Sequence, residues 1–404
     1  MAISRPAIEN TKKIKDIFMQ ADIHWMAGTR LRSGSDFLTQ LKEELMPLPQ
    51  PTLFVSDPTP VHSDAVLSDL HTQIPEKLCF FRKARTPSSE EVRNTAEEWL
   101  RRGIASVVVT GGGSTIDFAK AVAHCMAYPS TFDQEPSSGL VFNTSWSPPH
   151  LPMIAVPTTM GTGSEVNGKS VVDFAGKRRL VFHWGMYPQS AIIHAPFFRG
   201  MPEEVLVGGA LETMARLVVP VVSSESPVRV ADSLAVAQVR ALTEVVNRLL
   251  TDPGDEQARF DLAMITVTSV LTLHQLGRSQ FSYWLWYLVN ELNNFDLTKQ
   301  QSLATLMPVW LELVRDGEIP GREGLSRMEA ELSPTAHSAK TSPSGLTGTL
   351  LGMTSRLTPS PSTGLNARTL TDSTWRDWGQ GLRQVNIGEH HVERVFSELL
   401  SPAT

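Results

Sequence analysis

The sequence predicts an α/β N-terminal half built on a parallel sheet, followed by an all-α C-terminal half. Three observations carry this. Up to about residue 200, short apolar runs alternate with helical patterns. Two of those runs, 105–111 (ASVVVTG) and 151–159 (LPMIAVPTT), lead straight into glycine- and threonine-rich loops. Beyond residue 200 the segments are helical in period and clear strand signals are absent. Wholly apolar strands alternating with helices are those buried on both faces of a parallel sheet. The expected division is 1–198 and 199–404, with a cleft between the two parts.

In order along the chain, TLFVSD (52–57) is β-branched and aromatic and stops at Pro58 and Pro60. A helical stretch follows over 61–74, then a second strand, LCFFRK (78–83). The segment 88–103 opens on serines able to cap a helix and closes on Gly103, a natural C-terminal stop. ASVVVTG reads as a buried strand, TIDFAKAVAHCMAY as a helix, and LPMIAVPTT as a further buried strand. KSVVDF, RRLVFH and SAIIHA read as more strands, a hairpin plus one sheet strand. Helical periodicity then runs over 203–219, 227–251, 255–276, 280–294 and 298–315. Segments 333–346 and 357–365 are rich in Ser, Thr, Pro and Gly and read as loops, and a short helix is expected near 388–400.

The chain has 404 residues, 41% of them hydrophobic, and a formal net charge of −6. That length suggests about two domains. No basic stripe stands out, which argues against a nucleic-acid partner. The first twenty residues lack the apolar core of a signal peptide, and no membrane span is expected. Cys79 and Cys125 are the only cysteines, which fits a reducing compartment and a cytoplasmic location.

The two loops carry the chemistry. Gly111, Gly112, Gly113 and Ser114 join a buried strand to a helix. Glycines let the backbone approach an anion, and the unpaired amides of the helix start point outward at the positive end of the dipole. Asp117 and Lys120 follow one and two turns on. The pattern is neither G-x-G-x-x-G nor a Walker loop. Pro157-Thr158-Thr159-Met160-Gly161-Thr162-Gly163-Ser164-Glu165 follows the next buried strand, and its hydroxyls and amides suit ribose and phosphate oxygens. Both loops would lie on the carboxyl edge of a parallel sheet, where open α/β sheets bind ligands. The N-terminal part is thus expected to be a Rossmann-like nucleotide-binding domain; the triple glycine on its own also reads as a tight strand-to-helix turn.

The combination GGGS-x-x-D-x-A-K and PTT-x-G-T-G-S-E, in that order, resembles the iron-containing (group III) alcohol dehydrogenases. Their larger group includes glycerol dehydrogenases, maleylacetate reductases and dehydroquinate synthases. The likeness extends through IIHAPFFRGMP and SLATLMPVWLEL, over about residues 50–315. It implies the dehydroquinate synthase-like fold with its active site between the domains. It also implies that Gly111, Gly112, Gly113, Ser114, Asp117 and Lys120 contact a cofactor pyrophosphate. Thr158, Thr159, Thr162 and Ser164 would surround the nicotinamide. Asp57 falls where relatives place an acid on the adenine ribose, which favours NAD(H) over NADP(H); it is otherwise an ordinary turn residue before Pro58.

The resemblance breaks at the metal. Relatives hold a divalent cation with an acid and two or three histidines on the helical domain. Here Glu212 matches the acid, but Arg216 stands where the dehydrogenases carry His, Trp286 to Asn290 replaces a His-x-x-x-His pair, and Lys299 replaces the last His. Two fixed cations would repel a metal, so none is expected. Arg216 and Lys299 would stand in its place with Glu212 between them, stabilising an oxyanion or binding a carboxylate; alternatively Glu212 and Arg216 form a plain i,i+4 pair. The aromatic run offers Tyr283, Trp284, Trp286 and Tyr287 as pocket walls or as core, with either tyrosine a proton donor. His183, Arg178 and Arg179 are further substrate-contact candidates, and His274 reads as a core histidine.

Three functions remain open on these residues. The first is a metal-independent NAD(P)(H)-dependent oxidoreductase on a carbonyl or alcohol of a small or medium substrate. Secondary metabolism is the expected setting, and a homodimer is possible for such a fold. The second is a non-redox cyclase, lyase or isomerase using the aromatic and cationic pocket. The third is a non-catalytic nucleotide-binding descendant.

Overall fold

A computed structural model describes residues 28–57 except 35, 78–82, 85–142, 150–224, 227–332 except 272 and 296, 346–357 and 365–401. The helix expected over 61–74 and most of the Ser/Pro-rich segments lie outside the described residues.

The described strands of the first half are β1 (Arg30–Ser33), β2 (Thr52–Ser56), β3 (Cys79–Phe81), β4 (Ser106–Gly111), β5 (Leu140–Phe142), β6 (Met153–Pro157), β7 (Lys169–Phe174), β8 (Lys177–Phe182) and β9 (Ser190–Ile193). Six form one sheet in the order β1-β9-β6-β4-β2-β3, every neighbouring pair parallel. β4 and β6 are buried at every position, as their unbroken apolar runs require. β7 and β8 form the expected hairpin, turning at Ala175 and Gly176 with positive φ, and β5 joins them in a small second sheet.

The helices of this half are α1 (Phe37–Leu45), α2 (Ser89–Arg101) and α3 (Gly113–Ala127). Ser88 caps α2 by accepting from the Glu91 amide at 3.1 Å, and Gly103 stands at φ +64 just past its end. Val92, Ala96 and Trp99 of α2 pack with Phe118 and Val122 of α3 against β2 and β4.

The second half is helical: α4 (Glu203–Val222), α5 (Arg229–Thr251), α6 (Glu256–Val270), α7 (Leu285–Leu292), α8 (Lys299–Asp316), α9 (Arg322–Leu332), α10 (Leu346–Thr354), α11 (Ala367–Arg383) and α12 (Glu389–Leu399). The molecule is therefore an α/β domain plus an all-α domain. α4 is apolar on all sides because it runs through the middle of the bundle. Its apolar window is 94% buried, so a composition that would suit a membrane span serves the core. The helix expected over 280–294 is shorter, because residues 276–284 turn before α7 starts. The 255–276 pattern likewise stops at Val270. β1, α1, β5 and α9 to α11 have no counterpart in the sequence reading; strands as short as β1 and β5 carry little periodic signal.

Candidate active site

β2, β4 and β6 are neighbours, so Asp57, the Gly111–Ser114 turn and the loop after Pro157 emerge together on the carboxyl edge of the sheet. Gly112 starts α3 with no side-chain cap, leaving the amides of the first turn for a ligand. The loops also touch. The Thr158 amide donates to the Gly111 carbonyl at 3.0 Å. A Cβ on Gly112 would sit 3.0 Å from Thr159 Oγ1, and one on Gly113 only 2.5 Å from Thr162 Oγ1. The glycines thus let the threonine loop lie directly against the start of α3, where a side chain at either position would collide with it. Ser114, Thr159 and Thr162 remain half-buried there, while Thr158 is buried.

Three residues expected at the cofactor are instead committed to the protein. Lys120 is fully buried. Its amine donates to the Ser164 carbonyl (2.9 Å) and to the carbonyl and Oδ1 of Asn167 (3.2 and 3.1 Å), and it lies 3.2 Å from Asp117. Asp117 accepts from the Ser164 hydroxyl (2.7 Å) and the Val171 amide (3.2 Å). Asp117, Lys120 and Ser164 therefore rivet the second loop to α3. A buried amine has to spend its donors on carbonyls and a carboxylate, and none points at a ligand.

The second loop rests on α4. Gly161 and Gly209 cross so closely that a Cβ on Gly161 would stand 2.4 Å from Gly209 Cα. Just below, Glu212 meets both expected cations. Its Oε1 accepts from Arg216 at 3.1 Å and from the Lys299 amine in a shorter contact. Arg216 also donates to Ser269 Oγ (3.0 Å) and to the Gly161 carbonyl (2.7 Å), so it ties helix α6 and the loop to α4. Side-chain exposure separates the three: 1% for Glu212, 10% for Arg216 and 29% for Lys299. Lys299 is the member that reaches open space. Glu212 Oε2 is buried without a hydrogen-bond partner. A divalent cation does not fit beside Glu212, since both side chains that meet its carboxylate are cations and, among the described residues of this cluster, no second carboxylate or imidazole joins it.

The aromatic run divides in two. Trp284 is buried and donates to Ser223 Oγ at 3.0 Å. Tyr287 is buried and stacks on Trp378, centroids 4.4 Å apart, and burial pushes its hydroxyl far above the usual range. Tyr287 is thus core packing and not a proton donor. Asn290 is half-buried on α7 and takes no part in the Glu212 contacts. Tyr283 and Trp286 are half-buried and meet edge to face at 5.8 Å. The Tyr283 hydroxyl lies 3.3 Å from His274 Nε2, which is 3.0 Å from the Arg216 carbonyl. His274 is fully buried, and burial holds it down to about 4.

Sequence reasoning missed Lys169. Its amine stands 5.8 Å over the Tyr283 ring, although the residue lies two positions past the loop contacts of Asn167. No motif marked it.

His183, Arg178 and Arg179 are not brought to this site. Arg179 is buried in ion pairs with Asp377 and with Glu135 (3.0 Å), pinning the hairpin to α11. The Arg178 amide donates to Asn294 Oδ1 at 3.2 Å. His183 is buried at the far end of α3, about 20 Å of helix from the glycine turn. There it packs with His124 and His150, ring centroids 4.6 to 5.1 Å apart. Their nitrogens lie within 4.8 Å of one another, a spacing that could hold a metal ion. Two lone-pair positions are already used: His183 Nδ1 accepts the Gly185 amide at 2.9 Å, and His124 Nδ1 pairs with His150 Nε2 at 2.8 Å.

Comparison with known proteins shows what the chain is similar to. Residues 28–195 match the family described as iron-containing alcohol dehydrogenase. The probable alcohol dehydrogenase EutG of Escherichia coli is 28% identical over 193 residues, 47% of each chain. The NADH-dependent butanol dehydrogenase B of Clostridium acetobutylicum is 24% identical over 74% of this chain and 76% of its own length. The chain thus matches about half the length of the first of these relatives. The solved structure of NADH-dependent butanol dehydrogenase A from Thermotoga maritima shares the fold, with a TM-score of 0.76 at 17% identity over 95% of this chain and 99% of that one. Residues 28–195 are thus similar to the iron-containing alcohol dehydrogenases, and the chain as a whole shares the fold of the Thermotoga maritima enzyme.

Proposed function

We propose that the protein is a metal-independent, NAD(P)(H)-dependent oxidoreductase that interconverts a carbonyl and an alcohol. The observation that carries this reading is the pairing of an uncapped helix start at Gly112 with a Lys299–Glu212–Arg216 cluster on the segments where the resemblance would put a metal. The relatives' names, alcohol dehydrogenase and NADH-dependent butanol dehydrogenase, support the reaction class.

The bound nicotinamide supplies or accepts the hydride. Gly111 to Ser114 bind the pyrophosphate through backbone amides and the α3 dipole. Thr159 and Thr162 fix the dinucleotide's course past the second loop. Asp57, on the edge of β2, suits a ribose hydroxyl and favours NAD(H). Lys299 holds the carbonyl oxygen, stabilises the alkoxide as it forms and gives it a proton. Glu212 holds Lys299 in place, and Arg216 locks Glu212 beneath the loop. A cation fixed before reaction needs no reorganisation as charge develops, which is the service a metal performs in relatives with a full ligand set.

Fluorescence titration with NADH and NADPH, followed by turnover on an aldehyde panel before and after chelator treatment, tests this. Saturable dinucleotide binding and chelator-resistant turnover are expected. No dinucleotide binding, or activity that vanishes with the chelator and returns with zinc or iron, would overturn it.

A further inference from the structure

The cleft holds more positive charge than it cancels. Arg216 and Lys299 share one oxygen of a single carboxylate, Glu212. Lys299 also opens α8, so the positive end of that helix dipole adds to the field. Lys169 is a third cation, and no ion pair engages it among the described residues. Contacts run from its amine over the Tyr283 ring, through the Tyr283 hydroxyl to His274, and from His274 to the Arg216 carbonyl. A line of contacts thus links Lys169 to Arg216, whose guanidinium meets Glu212. Its side chain keeps solvent-accessible surface while its amine is drawn in over the Tyr283 ring. Burial first, then Arg216, Lys299 and Lys120, pull it down to about 8, which still leaves it mostly charged at neutral pH. The other carboxyl close by, Glu165, is buried, and burial pushes it up to about 7, so it offsets only part of the excess.

An ammonium placed beside two other cations is unfavourable until an anion completes the set. We propose that Lys169 is the docking point for a carboxylate on the substrate, and that the substrate class is an oxo acid or hydroxy acid, not a neutral aldehyde or alcohol. The inference rests on the reductase reading for its chemistry. Lys299 holds the reacting oxygen, and Lys169 holds the acid end over the Tyr283 face. A single unpaired ammonium matches a monoanion; a phosphate dianion calls for more donors than Lys169 brings.

The test compares ω-oxo acids with neutral aldehydes of equal length on the wild type and on Lys169→Met and Lys169→Arg. One charge-assisted contact predicts a preference in kcat/KM of at least about tenfold for the acids. Lys169→Met should abolish that ratio, chiefly through KM for the acids, and Lys169→Arg should keep most of it. No preference in the wild type, or an unchanged ratio in Lys169→Met, would overturn the inference. So would an equal loss of NADH affinity in Lys169→Met, which would assign the lysine to the cofactor. Should the protein transfer no hydride, the reductase reading fails by itself. Calorimetric binding of the same oxo acids then decides the docking point: retention by the wild type and at least about tenfold weaker binding to Lys169→Met upholds it, and equal binding refutes it.

Discussion

At the scale of single residues, Lys299 bears the clearest prediction. It alone of the ion-paired trio reaches open space, and Arg216 remains to satisfy Glu212 when it is changed. Lys299→Met should lower kcat by about 100-fold, the cost typical of losing one preorganised oxyanion donor. Lys299→Arg should recover part of the loss. Steady-state kinetics on variants shown to be folded by circular dichroism check this, and a kcat within about twofold of the wild type would remove Lys299 from the chemistry. Glu212, Arg216 and Lys299 were legible in the sequence because they occupy the metal-ligand segments of a recognisable motif order. Lys169 was not. A lysine at the first position of a strand reads as an exposed end, and only the approach of α7's neighbouring turn puts Tyr283 beneath it.

Helix α3 and the loop it holds show how a motif residue can act one step away from the ligand. Lys120 is fully buried and serves Ser164, Asn167 and Asp117 at once. Lys120→Met should cost about 3 kcal/mol or more, because it strands a carboxylate and two carbonyls in the interior. Urea unfolding measures this, and dinucleotide affinity should fall with it as the second loop loosens. A variant as stable as the wild type would show that water takes the place of the amine. Several elements were legible for local reasons: β4 and β6 by their unbroken apolar runs, α2 by Ser88 and Gly103, the hairpin by its turn at Ala175 and Gly176. The aromatic segment 281–292 was ambiguous, since Tyr287 and Tyr283 have the same chemistry. Stacking on Trp378 from distant α11 buries one, and the cleft receives the other.

For the whole molecule, the buried titratable groups set an acid dependence of stability. Burial holds His124 down to about 3 and His150 and His274 to about 4, from an ordinary 6.5. As pH falls below about 6.5 the unfolded chain takes up these protons and the folded chain refuses them, so stability falls. Glu165 works the other way, since it is raised from 4.5 to about 7 and takes its proton in the folded state first. Three histidines against one carboxyl leave a net loss over the window from about 6.5 to about 4.5. Urea midpoints measured across that window should decline steadily, and His150→Asn should flatten the slope. A flat profile from neutrality to the lower limit would contradict these burial assignments.

By itself the sequence determined what depends on neighbours along the chain: the parallel α/β order, the glycine turn and the loop after β6. Apolar periodicity, caps and turn residues act over a few positions, so they are written locally. Tertiary structure alone decided which polar groups meet. It turned Asp117, Lys120 and Ser164 inward as rivets, carried His183 to the far end of α3, and set Lys169 beside the Glu212 cluster. Burial and charge pairing are properties of three-dimensional surroundings, and residues more than forty positions apart supply them here.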